Sequence, residues 1–104
     1  MEKGQVWEYR TRSGEELSSL TVIDVENIGV NVKVVHVALD GLKRKTEHTD
    51  EIKDWFISHT PIDANTLKPC LIKIKSYDAT TDNEGLLYWQ EAYRMVRQAF
   101  GLLI

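Results

Sequence analysis

The sequence predicts an α+β fold in which a small antiparallel sheet is followed by two C-terminal amphipathic helices. Two observations carry this prediction. β-branched residues dominate the segment 18–39, whereas the stretch 84–100 has apolar residues at helical spacing. Because the strands precede the helices, we expect the helices to pack on or beside a strongly bent sheet. The strand count extends this expectation to a barrel-like sheet of the SH3-like kind.

The segment 18–39 is expected to be a β-hairpin at the centre of the fold. Its turn is predicted at Glu26-Asn27-Ile28-Gly29, because Asn and Gly tolerate positive φ. Two alternating sets of apolar residues follow the turn. These are Val30, Val32 and Val34 on one face and Val35, Val37 and Leu39 on the other. Either a bulge near Val34 or burial of both faces explains this pattern, and both interpretations make the strand central.

Further strands are expected on both sides of this hairpin. Gly4–Arg12 alternates as a first strand with Trp7 and Tyr9 on its inner face. Asp40-Gly41 is a second turn signal, and Leu42–Thr46 is expected to form a short fourth strand.

The region 47–60 around Trp55 admits a short helix or an extended chain. We favour the extended form because Thr60 precedes Pro61, which disfavours helical backbone.

The first helix is expected to begin after Asp63 or Thr66. Its apolar stripe would be Leu67, Cys70, Leu71 and Ile74. Pro69 fits the first turn if Thr66 is the N-cap, whereas a start at Asp63 predicts a kink.

The second helix is expected to follow a capping box formed by Thr81 and Glu84. Its inner stripe would be Leu86, Trp89, Ala92, Tyr93, Val96 and Phe100, while Gln90, Glu91, Arg94, Arg97 and Gln98 would face water. Gly101 would end this helix, and Leu102–Ile104 could add a last strand.

Length and composition favour one ordinary globular domain, residues 1–104. The chain has 28% charged and 42% hydrophobic residues, a net charge of −3 and a single cysteine. One cysteine allows no intramolecular disulfide, and there is no apolar run that would act as a signal peptide or cross a bilayer. We therefore expect a cytoplasmic protein without a membrane partner. The net charge argues against nucleic acid as a partner, since Lys43-Arg44-Lys45 is the one basic cluster.

Several segments together resemble a family of small bacterial proteins defined only as a domain of unknown function. They are Gly4–Arg12, Glu16, Val35-His36-Val37, His59-Thr60-Pro61-Ile62 and Tyr88–Tyr93 (YWQEAY). The resemblance implies a bacterial cytosolic protein of one domain and supplies no activity. Members of that family have Ser at the position of Cys70. They often continue into a longer final strand, so the resemblance does not extend to a strand at Leu102–Ile104.

Histidines are the first candidates for a functional site. Of His36, His48 and His59, we favour structural histidines that donate to backbone carbonyls, and the alternative is a polar pocket in which His36 and His59 meet Glu16, the one obvious acidic partner. No HExxH motif is present, so neither a metal site nor a cofactor is expected.

Arginine, cysteine and tryptophan supply the other candidates. Arg10 and Arg12 lie on the outer face of the first strand, where we favour pairing with Asp24 or Glu26 on the neighbouring strand, and the alternative is an anion or carboxylate site. Cys70 is expected to be a buried, inert thiol. The three tryptophans, Trp7, Trp55 and Trp89, are expected in the core.

The function that these observations favour is a non-enzymatic protein-binding module, of the immunity or accessory factor type. Its partner would dock at a sheet edge or between the sheet and the last helix. The alternative is a small-ligand binder or small enzyme that uses Glu16, His36 and His59, with Arg12 as the anion anchor. Nucleic-acid binding through Lys43-Arg44-Lys45 is a third, less favoured function.

Overall fold

The computed structural model describes residues 1–46 and 50–100. In chain order the elements are β1 (Val6–Tyr9), β2 (Ser19–Ile28), β3 (Val32–Lys45), β4 (Ile52–Asp63), α1 (Ala64–Leu67), a 3-10 turn (Lys68–Cys70), β5 (Leu71–Ser76) and α2 (Glu84–Ala99). The α+β class is therefore confirmed. Within the described residues, no helix is long and apolar enough to cross a membrane.

The five strands form one antiparallel sheet in the order β4-β3-β2-β1-β5. β4 and β5 lie at opposite edges, so the sheet is open and the expected barrel-like closure of SH3-like folds is wrong. β3 lies between β2 and β4, as expected for a strand with apolar residues on both faces. The irregularity lies in the partner strand, because Ile23 of β2 is the extra residue between Val22 and Asp24.

The centre of β3 is buried on both faces. Val35 and Val37 are fully buried in a cluster with Leu20 and other apolar residues of one face. His36 projects to the opposite face by strand alternation and is also fully buried. Both faces of β3 are therefore covered at this point. The side chains that β3 buries are valines on one face and a histidine on the other.

Of the two predicted turns of the central region, one is displaced and the other is absent. The hairpin turn is formed by Gly29, Val30 and Asn31, and Val30 is exposed rather than part of the strand. Asp40-Gly41 makes no turn, because β3 continues through it to Lys45 and takes in the expected fourth strand. Gly41 instead adopts φ of +65° at a register shift, where a Cβ would lie 2.9 Å from the Cα of Ser18.

The extended form predicted for 47–60 is confirmed over the residues that the structure describes, since β4 runs from Ile52 to Asp63. Pro61 is tolerated because β4 is an edge strand and needs no second set of backbone donors. Glu47, His48 and Thr49 lie outside the described residues.

The prediction of a first amphipathic helix is wrong beyond its first turn. Asp63 is the N-cap and accepts from the backbone N–H groups of Asn65 and Thr66. The helix ends at Leu67 and passes into the 3-10 turn that contains Pro69. Residues 71–76 then form β5, which pairs with β1. A free strand edge on β1 outweighs the short helical pattern, because a pairing strand satisfies the backbone groups of both segments.

The second predicted helix is confirmed as α2, but its cap and orientation differ. Asn83 is the N-cap, and the backbone N–H of Glu84 donates a hydrogen bond to the carboxylate of Asp82. The predicted capping box between Thr81 and Glu84 does not form. Leu86 is buried, whereas Val96 and Phe100 are exposed. The expected end at Gly101 and the final strand at Leu102–Ile104 lie outside the described residues.

Replacing a leucine of the buried cluster should cost far more stability than replacing a surface leucine. Leu20 is 1% exposed and Leu17 is 91% exposed. We expect Leu20→Ala to lower the free energy of unfolding by about 2–5 kcal/mol, and Leu17→Ala to stay within about 0.5 kcal/mol of the wild type. Urea unfolding measures both values. Equal losses would contradict the placement of the core.

Candidate functional site

A pair of histidines beneath α2 is the strongest candidate site. His36 comes from the buried centre of β3 and His59 from β4, and His36 Nδ1 lies 2.8 Å from His59 Nε2. Their rings are stacked with centroids 5.1 Å apart. The predicted convergence of these two histidines is therefore present in the fold.

The remaining groups around His36 come from β2 and α2. Glu26 Oε2 lies 3.4 Å from His36 Nε2, and the side-chain amide of Gln90 donates to the other oxygen of Glu26. The Trp89 ring lies edge-on to His36 with centroids 4.7 Å apart. Trp89 thus covers the histidine from above, while Gln90 holds Glu26, the carboxylate that approaches the second nitrogen of His36.

Neither Glu26 nor Gln90 is predicted at this site from the sequence, because Glu26 falls in the predicted turn and Gln90 on the predicted solvent face of the helix. The available signal was the alternation of Asp24 and Glu26 with Val25, which places both carboxylates on the face of the strand opposite Val25.

The pair can accommodate one proton between its two nitrogens. A hydrogen bond between Nδ1 of His36 and Nε2 of His59 requires one nitrogen to donate and the other to accept. If both rings were protonated, two N–H groups would face each other. Burial lowers the pKa of His59, and the neighbouring His36 lowers it further. The site therefore favours the state in which at least one ring is neutral.

Glu16 is separate from the histidines. It lies exposed in the loop after β1, where its carboxylate accepts from the N–H of Gly14. This backbone hydrogen bond lowers the pKa of Glu16. The predicted three-residue pocket thus has its two histidines together and its carboxylate elsewhere, with Glu26 in the place expected for Glu16.

Arg12 is bound within the protein rather than to Asp24 or Glu26. Its guanidinium binds both oxygens of the buried Glu15, one of them at 2.8 Å, and the same carboxylate accepts from the Lys43 N–H at 2.7 Å. The bond to Arg12, followed by the bond to Lys43, lowers the pKa of Glu15 to about 2. Arg12 therefore joins the first loop to β3.

Among the other candidates, Cys70 and Trp55 are more exposed than predicted, whereas Arg10 and Trp7 lie as expected. Arg10 is exposed at the end of β1, and Cys70 is half-buried rather than sealed in the core. Trp7 packs against the core cluster as expected. The placement of Trp55 in the core is wrong, because it is 46% exposed on β4.

A second region of interest is the exposed start of β4. Ile52 and Phe56 are exposed there along with Trp55. The guanidinium of Arg44 lies 4.5 Å from the centre of the Trp55 ring, and the Phe56 ring is 6.5 Å away. By the pairing register, Arg44 and Trp55 lie on one face of this edge of the sheet and Ile52 and Phe56 on the other. We call these exposed side chains together the β4 edge patch (Arg44, Ile52, Trp55 and Phe56).

The basic residues beside this patch are largely neutralised. Lys43 pairs with Asp54, and Lys45 Nζ lies 3.0 Å from Asp50 Oδ1. Paired lysines release few counterions from a phosphate backbone, so this arrangement does not favour nucleic acid.

Comparisons with known proteins supply no identity. No protein-family model, curated protein or solved structure matches the chain. The resemblance to an uncharacterised bacterial family therefore stays a prediction. Over residues 1–46 and 50–100, no group of three or more His, Cys, Asp or Glu side chains is placed to hold a metal ion.

The close approach of α2 to the histidine pair can be tested at Gly85. A Cβ on this residue would lie 2.6 Å from the Cβ of His59. Gly→Ala in an exposed helix stabilises by up to about 1 kcal/mol, whereas overpacking costs about 1–3 kcal/mol. We expect Gly85→Ala to destabilise the protein on the order of 1 kcal/mol in urea unfolding. Gln98→Ala, at an exposed position of α2, is the control and should be near neutral. Stabilisation by Gly85→Ala would contradict this docking of α2.

The lowered pKa of His59 predicts a pH dependence of stability. The unfolded chain binds a proton at His59 near the ordinary value of 6.5, and the folded protein only at lower pH. The free energy of unfolding should therefore fall as the pH decreases from about 6.5 towards the folded pKa. His59→Gln keeps an amide that can bond to His36 and should reduce this slope. NMR titration of the His59 ring protons checks the cause directly, and a midpoint at or above 6.5 would contradict it.

Proposed function

We propose that this protein is a protein-binding module that docks its partner at the β4 edge patch. The observation that carries the proposal is that Trp55 and Phe56, adjacent on an edge strand, are both exposed. Phe56 is 67% exposed. An accessory or immunity-type factor in the cytoplasm would have this kind of function.

The position of β4 at the edge of the sheet supports the proposal, because the backbone of an edge strand can form further hydrogen bonds. A strand at the edge of a sheet has N–H and C=O groups directed away from the sheet, which can pair with a strand of another protein. Natural proteins usually protect such edges with charges or bulges. β4 carries the charged residues Lys53 and Asp54 at its start, but it also exposes Ile52, Trp55 and Phe56 there. This exposed apolar surface favours a covered edge in the functional state.

Side-chain chemistry supports it as well. Trp and Arg are enriched among the residues that dominate binding energy at interfaces. Arg44 is already stacked on Trp55 in the free protein, so less side-chain entropy would be lost on binding. The paired charges around them, Lys43 with Asp54 and Lys45 with Asp50, would form a polar rim.

The alternative, a small-ligand binder or enzyme that uses Glu16, His36 and His59, is supported by the histidine contact alone. His36 is fully buried beneath Trp89, and Glu16 lies in another part of the molecule. A substrate would have to reach the pair through His59.

A binding experiment with a matched control tests the proposal. Tagged wild-type chain, the double variant Trp55→Ser/Phe56→Ser and the control Leu17→Ser are used to isolate partners from source-cell extracts. We expect wild type and control to retain one partner in about equimolar amount. The double variant should lose at least about tenfold in affinity, since hot-spot residues cost 2 kcal/mol or more.

A photo-crosslinking residue at position 56 then shows whether the retained protein touches the patch. Repeated recovery of the bare chain, or unchanged binding by the double variant, would refute the proposal.

A further inference from the structure

A cavity lies on the sheet face opposite α2. It measures about 240 Å³, and its apolar wall is formed by Tyr9, Leu20, Leu39, Ile62 and Leu67. Leu20 and Leu67 belong to the buried cluster, whereas Leu39 and Ile62 are only half-buried against it. The four-residue α1 and the following 3-10 turn contribute the remaining rim. The half-buried Leu39 and Ile62 are thus accessible from this side.

Arg10 also lines this apolar cavity and adds a positive charge to it. Among residues 1–46 and 50–100, its guanidinium has no hydrogen-bond acceptor or carboxylate partner. The contrast with Arg12 is informative, because Arg12 is held by Glu15 in a bidentate contact. One arginine of the predicted pair is therefore structural and the other is available.

Cavity size limits what could bind. A volume of about 240 Å³ is below the roughly 300–1,000 Å³ of pockets for drug-sized ligands. The guanidinium presents a planar fork that matches a carboxylate. An apolar wall and one arginine together fit a small molecule with an apolar body and one carboxylate.

We propose that this cavity binds a small carboxylate whose apolar body, about the size of one aromatic ring, packs on Leu39 and Ile62 while its carboxylate binds Arg10. This site is independent of the β4 edge patch. It keeps the anion-binding role predicted for Arg10 and assigns it a ligand class.

Cys70 provides the readout, because the only cysteine of the chain lines the same cavity and is half-buried. The rate of alkylation by iodoacetamide, a neutral reagent, is measured with increasing phenylacetate or its neutral isostere phenylacetamide. We expect phenylacetate to slow alkylation with a roughly millimolar Kd, as is typical for about ten non-hydrogen atoms. Phenylacetamide should bind about tenfold more weakly, since it lacks the charge-assisted bond to arginine.

Arg10→Gln and Arg94→Gln form a matched pair of variants, as each removes one exposed guanidinium. Arg94 lies on α2 and pairs with Glu91. Arg10→Gln should abolish the preference for phenylacetate over phenylacetamide, and Arg94→Gln should keep it. NMR shifts of the Leu39 and Ile62 amides should follow the same titration.

Three results would overturn the proposal. They are the absence of both protection and amide shifts at phenylacetate concentrations well above the millimolar range, equal binding of acid and amide, and loss of the preference in Arg94→Gln as well as in Arg10→Gln.

Discussion

Burial of the middle of β3 on both faces is the constraint on which the rest of the structure depends. Val35 and Val37 are covered by the apolar cluster, and the residue between them is a histidine that is 0% exposed. A buried imidazole is costly unless its nitrogens find partners. His59 supplies one at 2.8 Å, and Glu26 approaches the other nitrogen at 3.4 Å, which is longer than a strong hydrogen bond. The polar side of the core is therefore a network shared by β2, β3 and β4, with α2 above it.

The two halves of the β3–β4 hairpin differ because only the half that contains the histidine network is covered by α2. Near His36 and His59, β4 is held between β3 and α2, and Gly85 allows the helix to come close. Towards Trp55 the same two strands continue to pair, but Trp55 and Phe56 are exposed. Strand pairing satisfies the backbone there without covering the side chains. The exposed aromatic surface follows from a hairpin that is longer than the layer covering it.

The two faces of the sheet offer different chemistry. One face has the histidine pair under a 16-residue helix, whereas the other is covered near its cavity by a four-residue helix and a 3-10 turn. The shorter cover leaves apolar wall accessible beside Arg10. Arg12, two residues away, is fixed by the buried Glu15 and stabilises the loop that follows β1. Neighbouring arginines thus differ in role because, among the residues that the structure describes, Arg12 has a carboxylate partner and Arg10 has none.

The sequence by itself determined the strand-rich first half, the central place of β3, the extended form of β4 and the existence of α2. Each depends on local periodicity or on the backbone preference of Pro61, which act over a few residues. Tertiary structure decided that Leu71–Ser76 is a strand, that Asp40-Gly41 is a bulge and that Glu26, rather than Glu16, approaches His36. These outcomes depend on which strand lies beside which, and on registers set by residues far apart in the chain. No local pattern contains that information, because the competing conformations differ in their partners rather than in their own propensities.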